Sequence, residues 1–71
     1  MMDPEQFRAA LEGLGLSQTG FARWIGQNPR TVRRWALGEA VVPRHIVVII
    51  ALLQAISDVG GSHLMERLLE K

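Results

Sequence analysis

Seventy-one residues make one domain, and without cysteine neither a disulfide framework nor a thiolate metal site can reinforce a core this small. The net charge of +1 hides an asymmetry: residues 17–45 carry Arg23, Arg30, Arg33, Arg34 and Arg44 against Glu39 alone, a net of +4, while residues 1–16 come to −2 and residues 46–71 to −1. That concentration is the electrostatic footprint of a nucleic-acid binder. A secretory signal is not expected from the acidic opening MMDPEQFRAAL, nor a membrane span from an apolar run of eight residues, Ile46–Leu53, so a cytoplasmic protein is expected.

The chain opens with a helix start, Asp3 as N-cap and Pro4 at the first helical position. Phe7, Ala10, Leu11 and Leu14 come at i, i+3, i+4 and i+7, an amphipathic helix ending at Gly13 or Gly15. No chemistry is visible on it, and its expected duty is to cover the core side of the next two helices.

Two short helices with opposite duties are written into residues 17–38, SQTGFARWIGQNPRTVRRWALG. Ser17 is a good N-cap, Phe21, Ala22 and Ile25 form an inward stripe, and Gly26 is the usual residue where a helix ends in a left-handed conformation. Asn28-Pro29 restarts the chain, and the second helix runs from Pro29 to about Leu37 and stops at Gly38. At 100° per residue Val32, Trp35 and Ala36 fall on one side, and Arg30, Arg33, Arg34 and Leu37 on the other. Like charges at these spacings repel, with no Glu nearby to relieve them, so the face suits an anionic partner. Trp24 borders the core stripe and reads as half-buried packing rather than a base-stacking platform. For Arg23 on the outer face, plain surface and a nucleic-acid backbone contact both fit.

Residues 39–42 read as a loop, and Pro43 can open a further helix. The run IVVIIALL could be a buried strand by its β-branched content. It continues unbroken through Gln54, Ala55 and Ile56 and finds no partner strand, so a helix over 43–58 is expected. Being apolar nearly all round, it needs cover on more than one side, from the last helix of the chain or from a second copy. Val59-Gly60-Gly61 reads as a break and Ser62 as the cap of a final helix over 62–71, with Leu64, Met65, Leu68 and Leu69 as its stripe. No Ser/Cys–His arrangement, paired carboxylates or phosphate-binding glycine loop is present, so an enzyme is not expected. His45 and His63 lack further ligands at metal spacing, so no metal or cofactor is expected either.

Residues 18–37 resemble the helix-turn-helix of the Cro/C1 repressor-like (XRE) family. The likeness rests on the small Ala22, the turn Gly26, the apolar Phe21, Ile25, Val32 and Trp35, and the ending Trp35-x-x-Gly38, seven positions at fixed offsets. In looser form it extends from about Phe7 to Leu53. The chain departs from the pattern at Gln27, where an apolar residue is usual, at Gly20, where Glu commonly completes a capping box with Ser17, and at Ala36, where many members carry Glu. Relatives often pair that Glu with a buried Arg of the first helix. Here Leu11 stands near that place, and an apolar contact Leu11–Ala36 is expected instead, an exchange that need not cost stability.

The resemblance implies an all-α, compact bundle of about five helices, a lambda-repressor-like DNA-binding domain. It implies sequence-specific binding of double-stranded DNA by a small prokaryotic or phage transcriptional regulator, acting as a nucleoid-associated homodimer with its second motif helix in the major groove. By position in the motif, Arg30 and Arg34 would read base edges, while Gln18, Asn28, Thr31, Arg33 and Arg44 would hold the DNA backbone. For Gln18 the bland reading is an ordinary exposed side chain, and for Arg44 a solvated first-turn arginine. Pro29 stands where many relatives read a base, and it has no donor to offer. A different class also fits: an interaction module or antitoxin subunit whose apolar C-terminal helices bind another protein.

Overall fold

A computed structural model of the chain describes the backbone of residues 1–69 and the side chains of residues 1–58. It is all-helical among these residues, with α1 at Pro4–Gly13, α2 at Gln18–Ile25, α3 at Pro29–Leu37 and α4 at Arg44–Leu69. No helix among the described residues is long and apolar enough to cross a membrane.

Each of the first three helices is bounded by local chemistry. At α1 the Asp3 carboxylate accepts from the Gln6 amide at 2.7 Å and the Gln6 side chain accepts from the Asp3 amide at 3.0 Å, a reciprocal capping box. At α2 the Ser17 hydroxyl accepts from the Gly20 amide at 2.9 Å, a cap without the reciprocal half because Gly20 has no side chain to return it. At α3 the Asn28 side-chain oxygen accepts from the Arg30 amide at 2.8 Å, with Pro29 at the first helical position.

The far ends of α2 and α3 close in the same way. Gly26 at φ 75° lets the Gln27 amide reach back to the Ala22 carbonyl at 2.8 Å, and Gly38 at φ 78° lets the Glu39 amide reach the Arg34 carbonyl at 2.9 Å. Gly38 is required twice over. A Cβ there would stand 2.8 Å from the Pro4 ring, whereas one at Gly26 would meet open space.

Phe7 is the floor on which the core is built. Its ring is fully buried and meets Phe21 and Trp35 edge-on, with centroids 6.1 Å away in each case. Ala10, Leu11, Ala22, Val32, Ala36, Val42, Ile46, Ile50 and Leu53 complete the cluster, with Trp24 and Ile25 packed partly buried against it. The α1 and α2 helices both pack on α3, so the inner face of α3 is held from two sides.

Position 36 also carries a polar contact that the expected apolar exchange does not include. Leu11 and Ala36 are both in the core, but the polar contact at this point comes from Arg8, whose Nη1 donates to the Ala36 carbonyl. A helix leaves its last four carbonyls without intrahelical partners. In α3 the Arg34 carbonyl takes Glu39, the Trp35 carbonyl takes Gly38 and the Ala36 carbonyl takes Arg8.

Beyond residue 43 the expected boundaries are corrected. Pro43 stands just before α4, its carbonyl accepting from the Val47 amide at 3.1 Å, and the helix proper begins at Arg44. Where two helices over 43–58 and 62–71 are expected, a single helix of 26 residues runs from Arg44 to Leu69, so the described chain has four helices rather than five. Glycine weakens a helix interior by about 1 kcal/mol relative to Ala, but it keeps its amide and does not clash, unlike proline. Two glycines in a long helix are therefore a cost and not a stop. The expected side-chain stripe of residues 64–69 lies outside the described side chains.

Candidate nucleic-acid interface

The α3 helix divides its nine residues cleanly. Val32, Trp35 and Ala36 are buried, Thr31 is half-buried, and Pro29, Arg30, Arg33, Arg34 and Leu37 are exposed. The division comes from the 100° step: the buried set lies on one side, with Trp35 edge-on to Phe7, and the arginines occupy what remains. No Asp or Glu occurs between Ser17 and Gly38, so nothing within the two-helix unit neutralises these charges.

The N-terminus of α2 is brought to the same place. Gln18 and Thr19 join Pro29, Arg30 and Arg33 in lining a shallow cleft of about 300 Å³. With Ser17 occupied by the Gly20 amide and the Phe21 amide bonded to the Ser17 carbonyl, the amides left without an intrahelical partner at this end are those of Gln18 and Thr19. They carry the positive end of the helix dipole. The residues lining the cleft thus include a carboxamide, a hydroxyl and two arginines, with no acid among them, at a helix end that has two unbonded amides. Such a set is chemically suited to a phosphate oxygen.

Asn28 stands at the junction of the two helices, and its cap fixes its chemistry. Because its oxygen accepts from the Arg30 amide, its NH₂ group is the part left for an outside partner. The expected backbone-holding set is thus only partly gathered. Gln18 and Arg33 share the cleft, whereas Asn28, half-buried Thr31 and Arg44, exposed at the start of α4, are not among its lining residues. Of the two expected base-reading residues, Arg30 lines the cleft and Arg34 lies one turn further along the same face.

Phe21, Ala22, Val32 and Trp35 are buried, Ile25 is partly buried, and Gly26 adopts the left-handed conformation. Thr19 is an addition to the expected set; a hydroxyl beside Gln18 in the first turn of a helix is the signal for it. Arg8 is a second addition, and its partner is a main-chain carbonyl 28 residues away that no side-chain pattern announces.

A second surface lies on α4. Ile46, Ile50 and Leu53 face the core at i, i+4 and i+7, whereas Val48 and Leu52, 49% and 58% exposed, lie on the other side with Ala51 and Ala55. No metal-binding group of His, Cys, Asp and Glu exists among the described residues. No family model, curated protein or solved structure matches the chain.

Proposed function

We propose that the chain is a Cro/C1-type, lambda-repressor-like regulator that binds double-stranded DNA sequence-specifically as a homodimer, with α3 in the major groove. The observation that carries the reading is the acid-free cleft in which the first turn of α2 meets Arg30 and Arg33. A helix-turn-helix must hold a phosphate at the start of its first helix while the second enters the groove, and these residues supply the donors for both tasks. Gln18 and the amides at the start of α2 take one phosphate, the Asn28 NH₂ group and Arg33 take others, and Arg44 extends the contact along the backbone.

Arg30 and Arg34 read base edges. Each guanidinium can offer a pair of donors to O6 and N7 of guanine, worth roughly 1–3 kcal/mol of discrimination per good contact. Pro29, exposed at the first position of α3, contributes shape to the groove contact and no hydrogen bond.

The dimer is inferred from the outer face of α4. Exposed Val48 and Leu52 share it with small alanines, a composition suited to burial against a second copy. Two copies related by a twofold axis would present two α3 helices to half-sites about one helical turn, roughly 34–36 Å, apart.

Selection of bound sequences from random duplexes, with sizing of the free protein, tests both halves together. A pseudo-palindrome with that spacing and a dimeric particle are expected. Absence of any enriched sequence would remove the DNA reading. A monomer that co-purifies with a distinct protein through α4 would favour the interaction-module reading instead.

A further inference from the structure

Leu37 is the one branched aliphatic residue on the outer face of α3, and the core does not take it in. The last turn of the helix is already anchored by buried Trp35 and Ala36, while Leu37 is 55% exposed. Its neighbours one turn back, at i−3 and i−4, are Arg34 and Arg33. A helical leucine points toward the N-terminus and over the preceding turn, which here is the turn that carries these two arginines. The cationic face thus ends in a branched apolar tip set among charges.

We propose that Leu37 reads the 5-methyl group of a thymine adjoining the base pair contacted by Arg34. The inference rests on the DNA-binding reading above and adds to it the identity of one base. Thymine is the only base whose major-groove edge carries a methyl group, and an aliphatic side chain is its natural complement. The distances along the helix suit neighbouring pairs. Three residues of helix advance about 4.5 Å, nearer to the roughly 3.4 Å rise of one base pair than to that of two. Arg34 and Leu37 then read one step together, the guanidinium taking acceptors and the isobutyl group taking the methyl.

Replacing thymine by uracil deletes that methyl and leaves every hydrogen-bonding group of the base unchanged, so it isolates the contact. The selected duplex is titrated with the full chain, each thymine being replaced by uracil in turn, and the series is repeated with Leu37→Gln and Leu37→Met. In the wild type, one thymine position per half-site should weaken binding about fourfold on replacement, the effect of removing one buried methyl, and more than tenfold when both half-sites are changed. Leu37→Gln, a comparable helix former with a polar tip, should bind thymine and uracil duplexes equally. Leu37→Met should keep most of the preference. Binding that stays tight and salt-dependent but shows no methyl-sensitive position, or the same sensitivity in Leu37→Gln, overturns the assignment and leaves the DNA reading intact. Failure of the wild type to bind any duplex in a salt-dependent way removes both.

Discussion

The α3 and α4 helices are both half-used by the fold, and what each leaves over is of opposite kind. The α3 helix buries Val32, Trp35 and Ala36 and turns three arginines outward with no acid in the motif. The α4 helix buries Ile46, Ile50 and Leu53 and turns Val48 and Leu52 outward. One surplus is uncompensated charge and the other is apolar area. A polyanion answers the first and a second apolar surface answers the second. The two surfaces are therefore separable in the fold: a change on the outer face of α3 should alter DNA binding alone, and a change on the outer face of α4 should alter self-association and, through it, the joint grip on two half-sites, with the fold left in place.

The largest effect should come from the shared floor, where the two helices are not separable. Trp35→Ala opens a cavity against Phe7 and should cost about 3–5 kcal/mol, comparable to the whole stability of a chain this size. Urea unfolding monitored by circular dichroism should find it largely unfolded, with both associations lost. A folded, DNA-competent Trp35→Ala protein would show that the inner face of α3 does not support the outer one.

Leu52→Glu tests the apolar face alone. A leucine buried at a dimer seam contributes about 1.5–3 kcal/mol per copy, and introducing a charge there should convert the dimer to monomer at micromolar concentration. Sedimentation should register the change while circular dichroism keeps the helical signal of the parent. A Leu52→Glu protein of unchanged size would place the seam elsewhere.

On the charged face, Arg30→Ala and Arg34→Ala should each lose roughly 1–3 kcal/mol of affinity for the selected duplex and much less for random DNA. Their stability should stay within about 0.5 kcal/mol of the parent, since both side chains are exposed. Equal losses on selected and random DNA would move these residues from base reading to backbone holding.

The smallest effects compare the two glycine stops. Gly26→Ala meets only the left-handed backbone, about 1 kcal/mol, whereas Gly38→Ala also drives a Cβ to 2.8 Å from the Pro4 ring and should cost about twice as much. Thermal melts of the two variants would rank them, and the reverse order would contradict the close approach of α1 to the end of α3.

The first three helices are legible in the sequence because their signals are local. Asp3-Pro4, Ser17 and Asn28-Pro29 open them, Gly26 and Gly38 close two of them, and the i, i+3, i+4 stripes fix which side is buried. The stop after Asp58 misleads for the same reason. Val59-Gly60-Gly61 has a turn-like composition, but whether a long helix tolerates two glycines depends on the helix around them. The role of Arg8 is not legible at all, since a guanidinium bonded to the Ala36 carbonyl depends on α1 crossing the end of α3. For the candidate site, residue types and faces are readable from the helical period. The meeting of Gln18 and Thr19 with Arg30 and Arg33 in one cleft requires the angle between α2 and α3, which no periodicity supplies.

The central claim is that the outer face of α3 and the start of α2 engage the phosphates of duplex DNA. Its most direct test is the slope of log affinity against log salt concentration for the wild-type chain on its selected duplex. Each neutralised phosphate adds about −0.9 to the slope, so a dimer that sets Arg33 and Arg44 of both copies on phosphates should give roughly −3 to −4. A slope near zero would contradict the claim.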